Sequence, residues 1–178
     1  NPNLVVIHNN LGNVFNAQGK KEKAKNCFLK SLKLDPKFPM AYSNLGNIYR
    51  DENKFDIAID YYKKALNLEY KMLIVHHNLG IVFANIGKFE QAANSFRETL
   101  KIDPKFTMAD RHLSMITKYK AEHEHFIRMK KLIHDPKIAE LQKMELFFGL
   151  GKAYEDIKDH HKAFESYKKG NLRTKLGS

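Results

Sequence analysis

Apolar and small residues recur along the chain at the three- and four-residue steps that place them on one side of a helix. The first stripe consists of Val5, His8, Leu11, Gly12 and Phe15, and the second consists of Ala24, Phe28 and Leu32. Gly19 separates the stripes, and glycine just beyond a helix accepts the left-handed conformation that ends it. Asp35-Pro36 follows the second stripe, and proline disfavours helix at the residue before it. The pattern predicts two helices in residues 5–38.

The same pattern returns at a step of 34 residues, in Leu-Gly pairs and in aromatic positions of both helices. The members are Leu11-Gly12, Leu45-Gly46 and Leu79-Gly80 with Phe15, Tyr49, Phe83, Phe28, Tyr62 and Phe96. A unit this short cannot close a core alone, so neighbouring copies must stack. We therefore predict an all-α array of three regular repeats, residues 5–38, 39–72 and 73–106, with the aromatic residues in its core.

Beyond residue 106 the pattern weakens. Leu113-Ser114 has lost the glycine, and Leu150-Gly151 restores the signature 71 residues after Leu79-Gly80, where two periods would give 68. We predict a degenerate fourth repeat over residues 107–136 and a final repeat-like helix pair over residues 137–173. The extra residues predict a local change of packing near the fourth repeat.

The composition of the chain indicates the cellular environment in which this array is expected. The sequence contains no run of about 18 consecutive apolar residues, so it predicts no membrane span. Cys27 is the single cysteine, which excludes an intrachain disulfide and favours a reducing compartment, so the expected location is cytoplasmic. The net charge of +11 comes mostly from lysines scattered along the chain, which is typical of a solvated exterior. The chain begins without methionine, and we expect it to be a fragment of a longer protein.

The spacing of Leu-Gly, aromatic, alanine and Asp-Pro positions resembles the tetratricopeptide repeat. This resemblance implies a right-handed α-solenoid of antiparallel helix pairs, in which the first helix of each pair lines a concave groove. The groove residues carried over are Asn9, Asn10, Asn13, Met40, Asn44, Asn47, Ile74, His77 and Asn78, with Val6, Asn16, Ser43, Arg50, Ile81 and Asn85 on the same faces. Arg111 and His112 take the corresponding places in the fourth repeat.

Asparagine dominates this face. Asn10, Asn44 and Asn78 stand 34 residues apart before Leu-Gly, which resembles the asparagine ladder in the repeats of O-linked N-acetylglucosamine transferase. A carboxamide donates and accepts hydrogen bonds, so a row of them is suited to the backbone of an extended peptide. The same face also resembles the carboxylate clamp of chaperone-binding repeats, but it does so only at Asn13 and Asn44. Asn9, Ile74 and Asn78 replace the clamp cations, so we reject a clamp.

The C-terminal segment is similar to the stem that joins such repeats to the catalytic domain of bacterial sulfotransferase fusions. The residues concerned are Asp135-Pro136, Phe147-Phe148-Gly149-Leu150-Gly151-Lys152-Ala153-Tyr154 and Ala163-Phe164. A glycine-rich phosphate loop would follow in that family, but the sequence contains none. Nucleophile, metal and dinucleotide motifs are missing too, so we predict no enzyme activity and no cofactor. His123 and His125 are expected in a loop, with a metal site disfavoured.

Three functional hypotheses follow. The first is a non-catalytic module that binds a protein or extended peptide in the asparagine-lined groove. The second is an accessory stem for a fused or associated transferase domain. The third is binding of nucleic acid or an anionic surface through the lysine excess, which the scattered charge disfavours.

Overall fold

The computed structural model describes residues 2–174, with side chains described over residues 3–171. In that range the chain forms ten α-helices and no strand. The helices are α1 (Pro2–Ala17), α2 (Lys21–Leu34), α3 (Pro39–Asp51), α4 (Phe55–Leu68), α5 (Leu73–Asn85), α6 (Phe89–Ile102), α7 (Thr107–Ile116), α8 (Glu124–Leu132), α9 (Glu140–Asp156) and α10 (His160–Thr174). None of them is long and apolar enough to cross a membrane. The predicted all-α fold of helix–turn–helix units is confirmed.

The turns that follow α1, α3, α5 and α9 share one backbone conformation. Gly19 (φ 73°), Asn53 (φ 57°), Gly87 (φ 74°) and Lys158 (φ 64°) all lie in the left-handed region. In each turn the residue donates its backbone N–H to a carbonyl three residues back, which ends the first helix. Three of the four positions hold the residue types that favour this conformation, and lysine at the fourth does not.

Within a helix pair, glycine lets an aromatic ring lie directly on the first helix. A Cβ atom added to Gly12 would lie 2.5 Å from the ring of Phe28, and at Gly46 it would lie 2.6 Å from Tyr62. The final pair repeats the arrangement, with 2.6 Å between such an atom on Gly151 and Tyr167. No larger residue fits at these crossings without displacing the ring.

The chain divides into two compact units, Asn1–Gly87 and Lys88–Ser178. In the N-terminal unit α1 packs on α2, α2 on α3, α3 on α4 and α4 on α5. A buried cluster joins α2 to α3 and consists of Ala24, Phe28, Ala41, Leu45 and Ile48, with Phe15, Leu32, Phe38, Tyr49 and Tyr61 packed around it. Each helix pair therefore completes its core against the next one.

The position of a helix in this unit decides whether its apolar face is covered. Leu45 of α3 is 0% exposed, whereas Leu11, one repeat earlier in α1, is 41% exposed. Ile7 and Val14 of α1 are exposed as well, although Ala41 and Ile48, their counterparts in α3, are fully buried. The sequence pattern is the same in both helices, and α3 differs because α2 lies against it.

The C-terminal unit has a different arrangement in its middle. Here α6 packs on α7, α7 packs extensively on α9, α8 contacts α9, and α9 packs on α10. Gly149 permits the close approach of α9, since an added Cβ atom would lie 2.8 Å from Ser114 Oγ and 2.9 Å from Met129 Sδ. The core is built from Tyr119, Phe126, Met129, Ile138, Leu146, Leu150 and Ala153. Ser114 occupies the position where the regular repeats carry glycine.

Candidate functional site

The predicted groove residues of the N-terminal unit lie on α1, α3 and α5. Asn10, Asn13, Met40 and Ile74 are exposed. Asn44 and Asn47 are half-buried, and Asn9, His77 and Asn78 are buried. The predicted residues therefore differ in how much surface they offer to a ligand.

Hydrogen bonds between carboxamides connect neighbouring first helices. Asn44 Nδ2 donates to Asn9 Oδ1 (2.9 Å), which links α3 to α1. Asn78 Nδ2 donates to Asn47 Oδ1 (2.9 Å), which links α5 to α3. The Tyr62 hydroxyl also donates to Asn47 Oδ1 (2.8 Å), and burial raises the pKa of Tyr62, so the hydroxyl keeps its proton.

This arrangement corrects the simple form of the asparagine ladder. Asn10, Asn44 and Asn78 do not form a row of equivalent carboxamides. Asn44 and Asn78 each donate one amide hydrogen bond to an asparagine of the preceding first helix. Asn10 lies on α1 and is exposed, and none of the described side-chain hydrogen bonds involves its carboxamide. The 34-residue spacing places the three residues correctly along the helices but does not reveal these bonds.

A row of exposed apolar side chains accompanies the carboxamides. Val6 is 44% exposed, Met40 is 45% exposed and Ile74 is 52% exposed. Each lies four residues, or about one helical turn, before the asparagine of its repeat, and so on the same helical face. The sequence signal for this row is an apolar residue that recurs at the second position of each repeat, in Val6, Met40 and Ile74.

The neighbouring histidines of α5 are largely enclosed. The rings of His76 and Tyr70 meet edge to face, and His76 Nε2 lies 2.8 Å from the Tyr70 carbonyl oxygen. His77 is buried as well. Both are therefore parts of the packed structure of α5.

The remaining predicted groove residues, Arg111 and His112, lie on α7 in the C-terminal unit. Arg111 forms an ion pair with Glu145 (3.0 Å), and its guanidinium lies 4.5 Å from the ring centroid of Phe148. His112 stacks on Phe96 with ring centroids 5.6 Å apart. Burial lowers the pKa of His112, and the charge of Arg111 acts in the same direction. The two residues thus have protein partners in this unit.

A buried polar cluster, which sequence reasoning missed, joins α7 to α8. His125 Nε2 lies 3.0 Å from Asp110 Oδ1, and His125 Nδ1 lies 2.6 Å from the hydroxyl of Tyr119. In a neutral ring that accepts from Tyr119, Nε2 carries the proton and donates to Asp110. Arg128 also donates to Asp110 Oδ1, and burial raises the pKa of Tyr119 to about 12.

This cluster makes the expectation of a loop around His125 wrong. His125 lies in the first turn of α8 and is buried, and His123 caps that helix by accepting the backbone N–H of His125 (3.3 Å). Only their spacing in a charged stretch was available as a signal. Among the described residues, no group of three His, Cys, Asp or Glu side chains is placed to hold a metal ion.

Models of the tetratricopeptide repeat match four segments of the chain, residues 12–49, 39–69, 74–106 and 145–171. The matched segments lie in both compact units, and the gap between the last two of them contains α7 and α8. No curated protein sequence matches the chain.

Several solved structures are similar in fold. MamA superposes with a TM-score of 0.73 at 21% identity, covering 93% of this chain and 95% of MamA. YrrB, a tetratricopeptide-repeat protein with an unusual peptide-binding site, gives a TM-score of 0.70 at 21% identity, with 92% and 82% covered. The first tetratricopeptide-repeat domain of Spaghetti (RPAP3), bound to an HSP90 peptide, gives 0.63 at 23% identity, with 65% and 92% covered.

The helix pairs, the left-handed turns after the first helices, the glycine–aromatic crossings and the four matching repeat models agree with one another. The fold class is an α-solenoid of helix–turn–helix repeats. The chain belongs to the tetratricopeptide-repeat family.

Proposed function

We propose that the chain is a protein-interaction module that binds an extended peptide on the face formed by α1, α3 and α5. We call this surface the apolar–amide face and define it by Val6, Met40 and Ile74 together with Asn10, Asn13, Asn44, Asn47 and Asn78. The observation that carries the proposal is the row of exposed apolar side chains, each one turn before an asparagine.

The apolar row supplies a source of affinity. Val6, Met40 and Ile74 each leave about half of their surface in contact with water. Covering the exposed half of one such side chain contributes on the order of 1 kcal/mol. Three contacts of this size correspond to about a hundredfold in Kd.

The asparagines supply polar contacts next to that row. A carboxamide has two N–H donors and an oxygen that accepts two hydrogen bonds. Asn44 donates one amide proton to Asn9, so a second donor and its own oxygen remain for a ligand. The bond also holds the carboxamide in one orientation, which lowers the entropy lost on binding. Such groups suit the alternating donors and acceptors of an extended backbone, and they place few demands on peptide side chains.

The similar structures support this type of function without identifying a partner. YrrB has a peptide-binding site, and the RPAP3 domain binds an HSP90 peptide. Peptide binding is thus compatible with this arrangement of helix pairs. The apolar–amide face of this chain differs from a carboxylate clamp because it has no cation at the positions of Asn9, Ile74 and Asn78.

Peptide selection followed by a matched pair of triple variants tests the proposal. A phage-displayed library of random peptides is selected on the purified chain, and the enriched peptides are labelled for fluorescence anisotropy. Val6→Ser, Met40→Ser and Ile74→Ser combined should weaken binding by about a hundredfold.

The control combines Leu29→Ser, Ile57→Ser and Leu68→Ser, which are exposed apolar residues on the second helices α2 and α4. It removes a similar amount of exposed apolar surface and should leave Kd unchanged. Equal weakening in the two triple variants would show that binding depends on general hydrophobicity, and the proposal would fail.

The other two hypotheses stay predictions. An accessory transferase stem predicts that a catalytic domain follows in the full-length reading frame, which sequencing the parent gene would test. Binding through the lysine excess predicts a nucleic-acid gel shift that disappears as salt is raised. The apolar–amide face favours neither alternative over peptide binding, and a cytoplasmic location is part of our proposal.

A further inference from the structure

A cleft of about 410 Å³ opens in the C-terminal unit between α8, α9 and α10. Phe147, Leu150 and Tyr154 of α9 contribute its apolar lining. The ammonium-bearing residues around it are Lys130, Lys143, Lys162 and Lys169, drawn from three helices. The apolar–amide face belongs to the other unit, so this cleft is a separate surface.

The charges around the cleft are unbalanced. Among the lining residues that the structure describes, Glu165 is the single carboxylate, against four lysines. Lys143 pairs with Glu140 (2.9 Å) and Lys162 pairs with Asp159 (2.8 Å), both carboxylates outside the lining. Lys130 and Lys169 have no ion-pair partner among the side chains that the structure describes. The cleft therefore has an excess of positive charge that an anion would neutralise.

Aromatic rings hold three of these lysines at the cleft. Lys130 Nζ lies 4.5 Å from the ring centroid of Phe126. Lys162 Nζ lies 5.6 Å from that of Tyr154, and Lys169 Nζ lies 5.7 Å from that of Phe147. Cation–π contacts restrain the ammonium groups without neutralising them. A ligand thus meets positioned charges, and less side-chain entropy is lost on binding than with free lysines.

We propose that this cleft binds an acidic peptide segment that carries a bulky apolar residue beside its carboxylates. The ammonium groups would pair with the carboxylates, and Leu150 and the aromatic lining would contact the apolar residue. The inference goes beyond the proposed function, because it assigns a second site with a different ligand preference and does not require the apolar–amide face.

The geometry favours a peptide over nucleic acid. Single strands bind by stacking bases on open aromatic faces, but Phe126, Tyr154 and Phe147 each already lie against a lysine ammonium. Among residues 3–171, whose side chains the structure describes, the cleft lining contains no arginine, the residue that pairs with phosphates through two parallel hydrogen bonds.

Fluorescence anisotropy with defined probes tests the assignment. The probe is a fluorescein-labelled peptide with glutamates on both sides of one phenylalanine, and the reference replaces its glutamates with glutamines. We expect the glutamate peptide to bind at low salt, to weaken as salt is raised, and to bind at least about tenfold more tightly than the reference.

A pair of double variants locates the site. Lys130→Gln with Lys169→Gln should weaken the glutamate peptide by about tenfold. Lys30→Gln with Lys63→Gln removes the same net charge from exposed positions on α2 and α4, and it should change Kd by less than about twofold. Amide chemical shifts should change mainly in α8, α9 and α10 on titration with the peptide.

The overturning results are specific. Failure of the glutamate peptide to bind at low salt would refute the site. Equal weakening in both double variants would assign the binding to diffuse lysine charge. Binding of the glutamate peptide could also weaken in the apolar–amide triple variant but not in Lys130→Gln with Lys169→Gln. That result would show that the peptide binds on the apolar–amide face. If a single-stranded oligonucleotide bound at the same cleft more tightly than the glutamate peptide, the ligand would be nucleic acid and the proposal would fail.

Discussion

The two compact units differ in the side chains that form the buried contacts between their helices. In the N-terminal unit, Leu45 and Phe28 are buried between helix pairs, and carboxamide bonds such as Asn44 to Asn9 connect the first helices. In the middle of the C-terminal unit, Asp110, His125 and Tyr119 are buried and bonded to one another.

The difference shows what happens when the repeat signature is lost. Ser114 stands in the glycine position, and α7 meets α8 through side chains. Asp110 of α7 is hydrogen-bonded to His125 of α8, and Ser114 Oγ lies 3.5 Å from Met129 Sδ. Apolar contacts tolerate small shifts, but a buried carboxylate requires its specific partners. The irregular region should therefore be more sensitive to single polar changes than the regular repeats are.

The largest effect is expected at the polar cluster. Asp110→Ala removes the acceptor of both His125 and Arg128 and leaves two buried or half-buried donors without it. We expect unfolding free energy to fall by about 3–5 kcal/mol, measured by urea denaturation followed by circular dichroism. Asp60→Ala, at an exposed position of α4, is the control and should change stability by less than about 0.5 kcal/mol. Similar small losses in both variants would contradict the contrast between the units.

The apolar counterpart is a comparison of two leucines at one repeat position. Leu45→Ala opens a cavity in a fully buried site and should cost about 2–5 kcal/mol. Leu11→Ala acts on a side chain that is 41% exposed, and it should cost less than about half as much. The same denaturation experiment measures both, and equal costs would mean that α1 is covered in solution.

Close helix crossings are expected to respond alike in the two units. Gly46→Ala and Gly151→Ala each place a Cβ atom 2.6 Å from an aromatic ring. Displacing the ring should cost about 1–3 kcal/mol in either variant, as a change in melting temperature will report. A tolerated substitution in the final pair alone would show that its packing is looser than that of the regular repeats.

Acid should weaken the C-terminal unit in part through Asp156. Its carboxylate accepts from Lys152 (2.6 Å) and Lys118 (2.9 Å), and from the backbone N–H of Tyr119 (3.1 Å). Burial acts to raise its pKa, but these bonds outweigh burial and lower the pKa from 3.8 to about 2.

Because the folded-state pKa lies below the ordinary value, the stabilising contribution is complete above the ordinary value and disappears as the pH falls towards about 2. Asp156→Asn should therefore be less stable than the wild type at neutral pH, and the gap should narrow in urea titrations from about pH 5 to pH 2. A gap that stays constant across this range would remove Asp156 from the acid response.

The smallest effect is expected at a turn. Lys158 adopts φ 64°, in the position that holds Gly19 and Gly87 in other pairs. Lys158→Gly should stabilise the chain by about 0.5–1 kcal/mol, visible as a higher melting temperature, because it relieves left-handed strain. The reverse change, Gly19→Lys, should destabilise by a similar amount, and no difference in either variant would mean that the turn relaxes without cost.

The fold was largely predictable because its determinants are local and periodic. Glycines, aromatics and Asp-Pro sites recur at fixed steps, so Gly19 and Gly87 already predicted the ends of helices. The site was less predictable, since Asn9 and Asn44 meet only when two helices cross at a particular distance and angle. The cluster around Asp110 has no repeat counterpart, so no period in the sequence indicated that His125 would be enclosed.

The uncovered side of α1 has a consequence for engineering. Ile7, Leu11 and Val14 present to solvent the positions whose equivalents in α3 receive the preceding helix pair. A designed hairpin fused ahead of residue 5 would meet a surface already suited to it, and each added hairpin would expose a similar face in turn. The length of the apolar–amide face can therefore be adjusted in steps of one repeat while the rest of the chain keeps its sequence.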